Sequence, residues 1–423
     1  MVSLVHSYQK LLFRKVETAF VSVFRNYIFA RLLCLKRVGI MIDTIRLFFC
    51  KPFFSNERNL IVIYITVCIL ISLKIVFLET CDNYDCFKAS HFHLIKNLDL
   101  YLSYPKEYHT EYNYSPFFAL FMGLFAYLPN WLGIFLWNGL HTIPFLFAIH
   151  KMPVTDTKKR FLYVFCLLEF ITAAENVQTN ATVTAFIMLV LIFQQKGKTT
   201  TSSFFFVFGS FFKIYVLTAG VFFLCYKKKG DFIWKSIAWG LLFFLMPLLV
   251  ISWDQLLFLY QSWFTRLQAQ AVRDALSLLG IINKHISTSI PQEWVILTGT
   301  ITMLLVLLKK QVHESLQYRL LYLAGILLFT VVFNPGVESP SYIIAVTGAA
   351  IWYINKPRVG WEKWLMIILF VFTCLSPTDI FPKFIREEYF TYYHVKAIPV
   401  IIVWAVCIKE LFLFKSLSEN KIV

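Results

Sequence analysis

The chain has 423 residues, 58% of them hydrophobic and only 15% charged, with a mean hydropathy of +0.66. A soluble domain is about 45–50% apolar and about 25% charged, so these proportions exclude one and indicate an all-α polytopic membrane protein. The net charge of +16 is no nucleic-acid footprint, because the basic residues gather in short loops between apolar runs, where they set orientation and meet anionic lipid headgroups.

Residues 1–58 carry ten lysines or arginines between apolar clusters, the pattern of helices lying on an anionic membrane face. They read as a basic cytoplasmic or interfacial segment ahead of a transmembrane domain at 59–415 and a cytoplasmic tail at 416–423. No cleavable signal peptide is evident, and a start at Met41 with a short basic lead is a second reading. Leu60–Leu78 is the first span, which places 79–116 outside. This loop, ETCDNYDCFKASHFHLIKNLDLYLSYPKEYHTEYNYSP, is long and rich in tyrosine and carboxylates. Most of the nine cysteines lie in apolar runs and act as small hydrophobes. Cys81 and Cys86 bracket a polar stretch, where pairing in an oxidising compartment is open to them.

An apolar run at 117–128 precedes Pro129 and a span at 131–149, and HKMPVTDTKKR then belongs inside. Only one net crossing fits, so 117–128 reads as a short interfacial or re-entrant helix. Residues 161–175 lead out to ENVQTN, and 181–195 lead back to the basic QQKGK. The next run, SSFFFVFGSFFKIYVLTAGVFFLC, is long enough to cross but carries Lys213 in its middle. Lys196 and Lys198 precede it, and Lys227, Lys228, Lys229 and Lys235 follow, so both flanks belong inside. The segment therefore reads as two short arms meeting at FFKIY with Lys213 at the turn. Non-helical backbone at membrane depth is tolerated only beside protein or a watery cavity. Lys213 is thus expected to face one.

Residues 235–252 exit, and 253–292 form a second outer segment with Arg266, Arg273 and Lys284. Spans at 294–308 and 320–334 flank KKQVHESLQYR, the motif NPGVESPS lies outside, and spans at 341–354 and 363–376 flank NKPRVGWEK. The last span, 396–414, returns the C-terminus to the cytoplasm. No internal repeat of the kind many transporters show is visible.

The uncommon polar groups converge on one face of the membrane. Asp82, Asp85, Asp99, Glu107 and Glu111 lie in the first outer loop. Glu175, Asn176, Gln178 and Asn180 cap a span pair, Lys213 sits at its turn, and Glu338 lies in NPGVESPS. A solvated loop carries acids in any case, but polar groups embedded in a membrane are costly and mark function. There is no phosphate-cradling glycine motif for a nucleotide, no zinc motif and no sign of a cofactor. A lipid-linked substrate remains: a carboxylate deprotonates an acceptor hydroxyl while cations bind the leaving phosphate, and apolar grooves hold a polyprenyl tail.

The stretches LDLYLSYPKEYHTEYNYSPFFALFMGLFAYLP, ENVQTNATVTAFIMLVLIFQQKGK with FFFVFGSFFKIYVLTAGVFFLCYKKK, and NPGVESPSYIIAVTG resemble glycosyltransferase family 87, in order over residues 60–355. The matching positions are Asp99-Leu100-Tyr101, Tyr112–Pro116, Asn176–Asn180, Lys213-Ile214-Tyr215 and Glu338-Ser339-Pro340. There are departures: Val216 stands where the family has a proline after the lysine, and Ser115 replaces the first of two prolines. Asn83 falls at the family's loop-one aspartate, with Asp82 and Asp85 beside it. The resemblance implies a GT-C-like bundle of about 10–12 spans with a structured first outer loop and broken or re-entrant short helices. It implies transfer of a hexose, with mannose the natural candidate, from a polyprenyl-phosphate donor to a glycan or lipid acceptor on the outer face of the cell (inner or plasma) membrane. Asp82 or Asp85 is the expected general base. Lys213, with Arg266 or Arg273, is expected to hold the phosphate, and Tyr215, Asn176, Gln178, Asn180, Tyr101, Tyr114 and Glu338 to line the substrate site. Two rival readings are a transporter or flippase of a lipid-linked or anionic substrate, with Lys213 as counter-ion, and a catalytically silent member of the same fold.

Overall fold

The computed structural model describes residue 54 and residues 56–78, 81–225, 229–269, 275–309, 315–358 and 360–414. Residues 1–53 and 55 of the expected basic segment at 1–58, together with Lys227, Lys228, Arg273 and the tail at 416–423, lie outside the described residues. From Leu60 onward the chain forms one compact unit, and its described residues are helical with no strand among them.

Helix α1 (Glu57–Leu78) shows how composition becomes architecture. Leu60, Tyr64, Cys68, Ile71 and Ile75 recur at helical spacing and are buried, while Val62, Ile65, Leu70 and Phe77 between them are exposed. In water such a face would drive association; in a bilayer it is the lipid-facing side. A loop helix, α2 (Asp82–Ile95), comes next. Two short helices follow, α3 (Pro116–Phe121) and α4 (Gly123–Ala126), then α5 (Asn130–Lys151) and α6 (Asp156–Glu175).

The centre is α7 (Asn180–Gln195), buried from Asn180 through Ile192. A helix that is apolar all round belongs in a core, and α7 packs against α5, α6 and the next helix, α8 (Thr199–Phe212). After the 3₁₀ segment Ile214–Cys225 come α9 (Lys229–Leu245), α10 (Trp253–Ala269), α11 (Leu278–His285) and α12 (Gln292–Leu305). A second core layer is the pair α13 (Leu316–Val332) and α14 (Tyr342–Ile354). They approach closely at Gly348, where a Cβ would stand 2.9 Å from the Ala324 carbonyl oxygen. The chain closes with α15 (Trp361–Leu369) and α16 (Ile398–Leu413).

Among the described residues three helices are both long and apolar enough to cross a bilayer, Glu57–Phe77, Asn130–Lys151 and Lys229–Leu249, and several apolar helices are shorter. The spans expected from sequence fall on helices; two differ most, since α9 already begins at Lys229 and α15 ends at Leu369, passing into a π-helical stretch at Phe370–Leu375. The 117–128 run forms the short pair α3 and α4 as expected. The expected long outer segment at 253–292 instead carries α10 and α11. On α10, Trp253, Leu257 and Phe264 are exposed, the mark of an amphipathic helix. No disulfide joins Cys81 to Cys86. Cys81 precedes α2, and Cys86 turns into the core with no exposure, so the pairing left open by the sequence is not made.

Candidate active site

The break at Lys213 has a local cause. Helix α8 ends at Phe212, Lys213 is extended (φ −152°, ψ 125°), and the 3₁₀ segment begins at Ile214. The segment then runs back along α8. A Cβ on Gly209 would stand 3.0 Å from Val216 Cγ1 and 2.8 Å from the Phe186 ring, and a Cβ on Gly220 would stand 3.0 Å from the Phe206 ring. Position 216 thus neighbours 209 while 220 neighbours 206, the descending register of a hairpin. Two glycines let its arms close, and Lys213 occupies the tip.

The tip is braced by the first loop. Ser115 caps α3, accepting from the Phe118 amide at 3.2 Å while donating to the Phe211 carbonyl at 2.6 Å. Pro116 follows at the first helical position, where its missing N–H costs nothing. The serine that departs from the family pattern therefore ties this loop to the end of α8.

Lys213 faces a cavity of about 350 Å³ whose wall includes Asn83, Asn113, Gln178, Tyr215, Arg266 and Glu338. A chain of hydrogen bonds runs along one side. The Lys213 ammonium donates to Asn180 Oδ1 at 2.9 Å, Asn180 Nδ2 to Gln178 Oε1 at 2.6 Å, and Gln178 Nε2 to Glu338 Oε2 at 2.9 Å. The ammonium also lies 4.6 Å above the Tyr215 ring, a cation–π placement. Tyr215 in turn donates to the Gly336 carbonyl at 3.2 Å. Cation and carboxylate thus share one cavity, linked through two amides rather than by direct contact.

Gln178 is aimed by a strained turn. Val177, between α6 and α7, has φ +53°, and a β-branched residue there costs roughly 1–2 kcal/mol. It is fully buried and held by the Trp137 indole, which donates to its carbonyl at 3.1 Å. Asn176 serves the same turn, its amide donating to the Thr172 carbonyl at 2.8 Å. It is not among the cavity-lining residues.

Also on the wall, Arg266 of α10 forms an ion pair with Glu111 and donates through Nε to Asn113 Oδ1 at 3.0 Å. Trp263 donates to the Asn113 carbonyl at 3.2 Å. Arg266 also borders a neighbouring cavity of about 410 Å³ with Asp99, Tyr101 and Ser262. Tyr101 lines that cavity and donates to the Tyr114 carbonyl at 2.9 Å. Tyr114 lines the main cavity, with its ring stacked on Phe118 at 4.2 Å.

Asp82 and Asp85 open α2, where their charges suit the positive end of the helix. Neither is among the lining residues; Asn83 is. Asp82 Oδ1 accepts from the His109 amide at 2.6 Å, closing the loop on itself. Burial, followed by the charge of Asp82, raises the Asp85 carboxyl above its ordinary range, with Lys88 acting in the opposite direction. Asn83 donates to the Asn176 carbonyl at 2.9 Å, joining α2 to the strained turn. Among the described residues no group of three His, Cys, Asp or Glu is placed to hold a metal ion.

The family model described as glycosyltransferase family 87 matches residues 112–335, more than half of the chain. The chain belongs to glycosyltransferase family 87. It is a membrane glycosyltransferase, and the family span includes Asn113, Gln178, Lys213 and Arg266 and stops just before Glu338. No curated protein and no solved structure matches the chain. The sequence assigns no role to Asn113, which lies within the Tyr112–Pro116 match, or to Ser341, yet both are on the cavity wall. Each is a small polar residue in a polar loop, with no periodicity to mark it. Sequence reasoning also passed over the ion pair of Glu169 and Lys396. There the signal was present, since two isolated charges fall in or beside apolar runs, where charged side chains are costly and mark a partner or a function.

Proposed function

We propose that this family 87 protein transfers a hexose, with mannose the leading candidate, from a polyprenyl phosphate to an acceptor hydroxyl at the extracytoplasmic end of the bundle. The carrying observation is that one cavity holds a cation, Lys213, at the tip of a helical hairpin, and a carboxylate, Glu338, joined through Asn180 and Gln178. In the reaction the acceptor oxygen bonds to the anomeric carbon as the bond from that carbon to phosphate breaks. The phosphate leaves on its polyprenyl chain with the electron pair, and the acceptor proton passes to a carboxylate.

Lys213 holds the departing phosphate, assisted by Arg266 if its pairing with Glu111 yields to the donor. Gln178, which lines the cavity, meets sugar hydroxyls, while Asn180, fully buried and outside the lining, holds Gln178 and Lys213 in place; Tyr114 and Tyr215 form part of the wall. The geometry favours Glu338 over Asp82 and Asp85 as proton acceptor, because Glu338 lines the cavity whereas Asp82 is committed to the His109 amide. Asn83, at the family's aspartate position, carries an amide that cannot take a proton.

The test uses purified protein in detergent with polyprenyl-phosphate mannose labelled in the sugar. Transfer of label to alkyl mannoside or to water supports the reading. Glu338→Gln should lower turnover by about 10²–10⁴-fold, with Asp82→Asn and Asp85→Asn close to wild type; the reverse pattern returns the base to the first loop. Donor carried across a vesicle bilayer with its sugar intact would instead support a transporter.

A further inference from the structure

Two charges remain that the proposed chemistry does not use. Glu169 lies on α6, about 9 Å along the axis from the end of the helix that leads to the site, and is fully buried. Lys396, just before α16, is 4% exposed. The Lys396 ammonium stands 2.8 and 3.0 Å from the two Glu169 oxygens. Its next bond is the informative one: it donates to Ser339 Oγ at 2.9 Å. It also lies 4.8 Å above the ring of Tyr342, while the Lys396 carbonyl accepts from Thr373 at 2.9 Å.

Ser339 and Tyr342 bracket the single 3₁₀ turn that follows Glu338, and Ser341 of that turn lines the cavity. The Ser341 amide closes the turn on the Glu338 carbonyl at 3.0 Å. Further bonds hold the stretch on either side, beside those of Gln178 to Glu338 and Tyr215 to Gly336. The Leu276 amide donates to the Val337 carbonyl at 3.0 Å, and Tyr342 Oη donates to the Leu276 carbonyl at 2.6 Å. Lys396 is thus a side-chain link from the helix core to the residue next to Glu338.

A buried ion pair is a poor source of stability, because desolvation offsets its attraction, and well-packed apolar replacements are often neutral or better. Its value here lies in geometry. Glu169 fixes the ammonium, and the ammonium fixes Ser339. We propose that Lys396, anchored by Glu169, is a positioning residue that sets the Glu338–Ser341 turn against the cavity. As far as turnover is concerned, the assignment rests on the proposed role of Glu338. The position of the turn itself does not.

The experiment therefore reads both. Amide hydrogen exchange of a peptide spanning 335–342, melting temperature, and kinetics with polyprenyl-phosphate mannose are measured on full-length Ser339→Ala, which cuts only the link, and on the double variant Lys396→Met/Glu169→Leu, which removes both charges. Both variants should melt near wild type while exchange in 335–342 rises about tenfold or more. In both, kcat should fall about ten- to hundredfold, as expected for a displaced reacting group, with donor KM changed less than about twofold. Wild-type exchange in Ser339→Ala overturns the assignment, even if the double variant melts early, since the pair would then be a structural contact only. If wild-type protein turns over no polyprenyl-phosphate sugar, the proposed reaction fails, and the exchange data still decide whether Lys396 holds the turn.

Discussion

Replacing Lys213 with methionine separates a binding lysine from a structural one. The substitution removes the ammonium from a cavity wall, its 2.9 Å bond to Asn180 Oδ1 and its contact with the Tyr215 ring. Two effects on stability oppose each other. Relief of a half-buried charge is favourable. Asn180 is fully buried, however, and its Oδ1 loses that donor, at a cost of about 1–3 kcal/mol if no water replaces it. The net change in stability should therefore be small, a shift of a few degrees at most. Donor binding has no such compensation. A hydrogen bond to a charged group contributes about 1.5–3 kcal/mol, so affinity for polyprenyl-phosphate mannose should weaken by about ten- to hundredfold. Thermal-shift titration in detergent, with and without donor, reads both quantities on one sample. A Lys213→Met protein that melts well below wild type yet binds donor normally would refute the phosphate role and leave the lysine as a brace for Asn180.

Four further outcomes follow from the same geometry. Gly209→Val should destabilise the protein by about 1–3 kcal/mol, measured by melting, because even a Cβ at 209 meets Phe186 and Val216 at 3.0 Å or less. Asp82→Asn should loosen the first loop, costing about 1 kcal/mol through its weakened bond to the His109 amide, seen as faster exchange at 105–111 with turnover largely kept. Burial lowers the pKa of His93 below its ordinary value, while its 2.9 Å contact with Glu107 acts in the raising direction and Lys96 in the lowering one. With the folded value below the unfolded one, His93 contributes stability above pH about 6.5 that is lost as pH falls through that value toward the folded one; loop protection should drop on acidification, and His93→Gln should flatten the response. Engineered cysteines at 99–115 and 336–340 should react with an impermeant reagent from outside intact cells and those at 196–200 should not, and the opposite pattern would invert the proposed orientation.

Much of this protein is written in local pattern. Composition alone places it in a bilayer, and α1 takes its lipid-facing and core-facing sides from helical spacing. The hairpin at Lys213 is legible because both flanks are basic and an isolated charge cannot rest in a continuous span. Ser115-Pro116 announces a helix start by its chemistry. What the tertiary structure decided is which of several adjacent candidates faces the cavity. Successive residues on a helix point about 100° apart, so among Asp82, Asn83 and Asp85 only the packing of α2 determines that Asn83 lines the wall. Equally, nothing local pairs Gln178 with Glu338, 160 residues away, or Glu169 with Lys396, 227 residues away. Such partners meet because buried helices pack in one arrangement, and each buried charge or amide must find its counterpart within it.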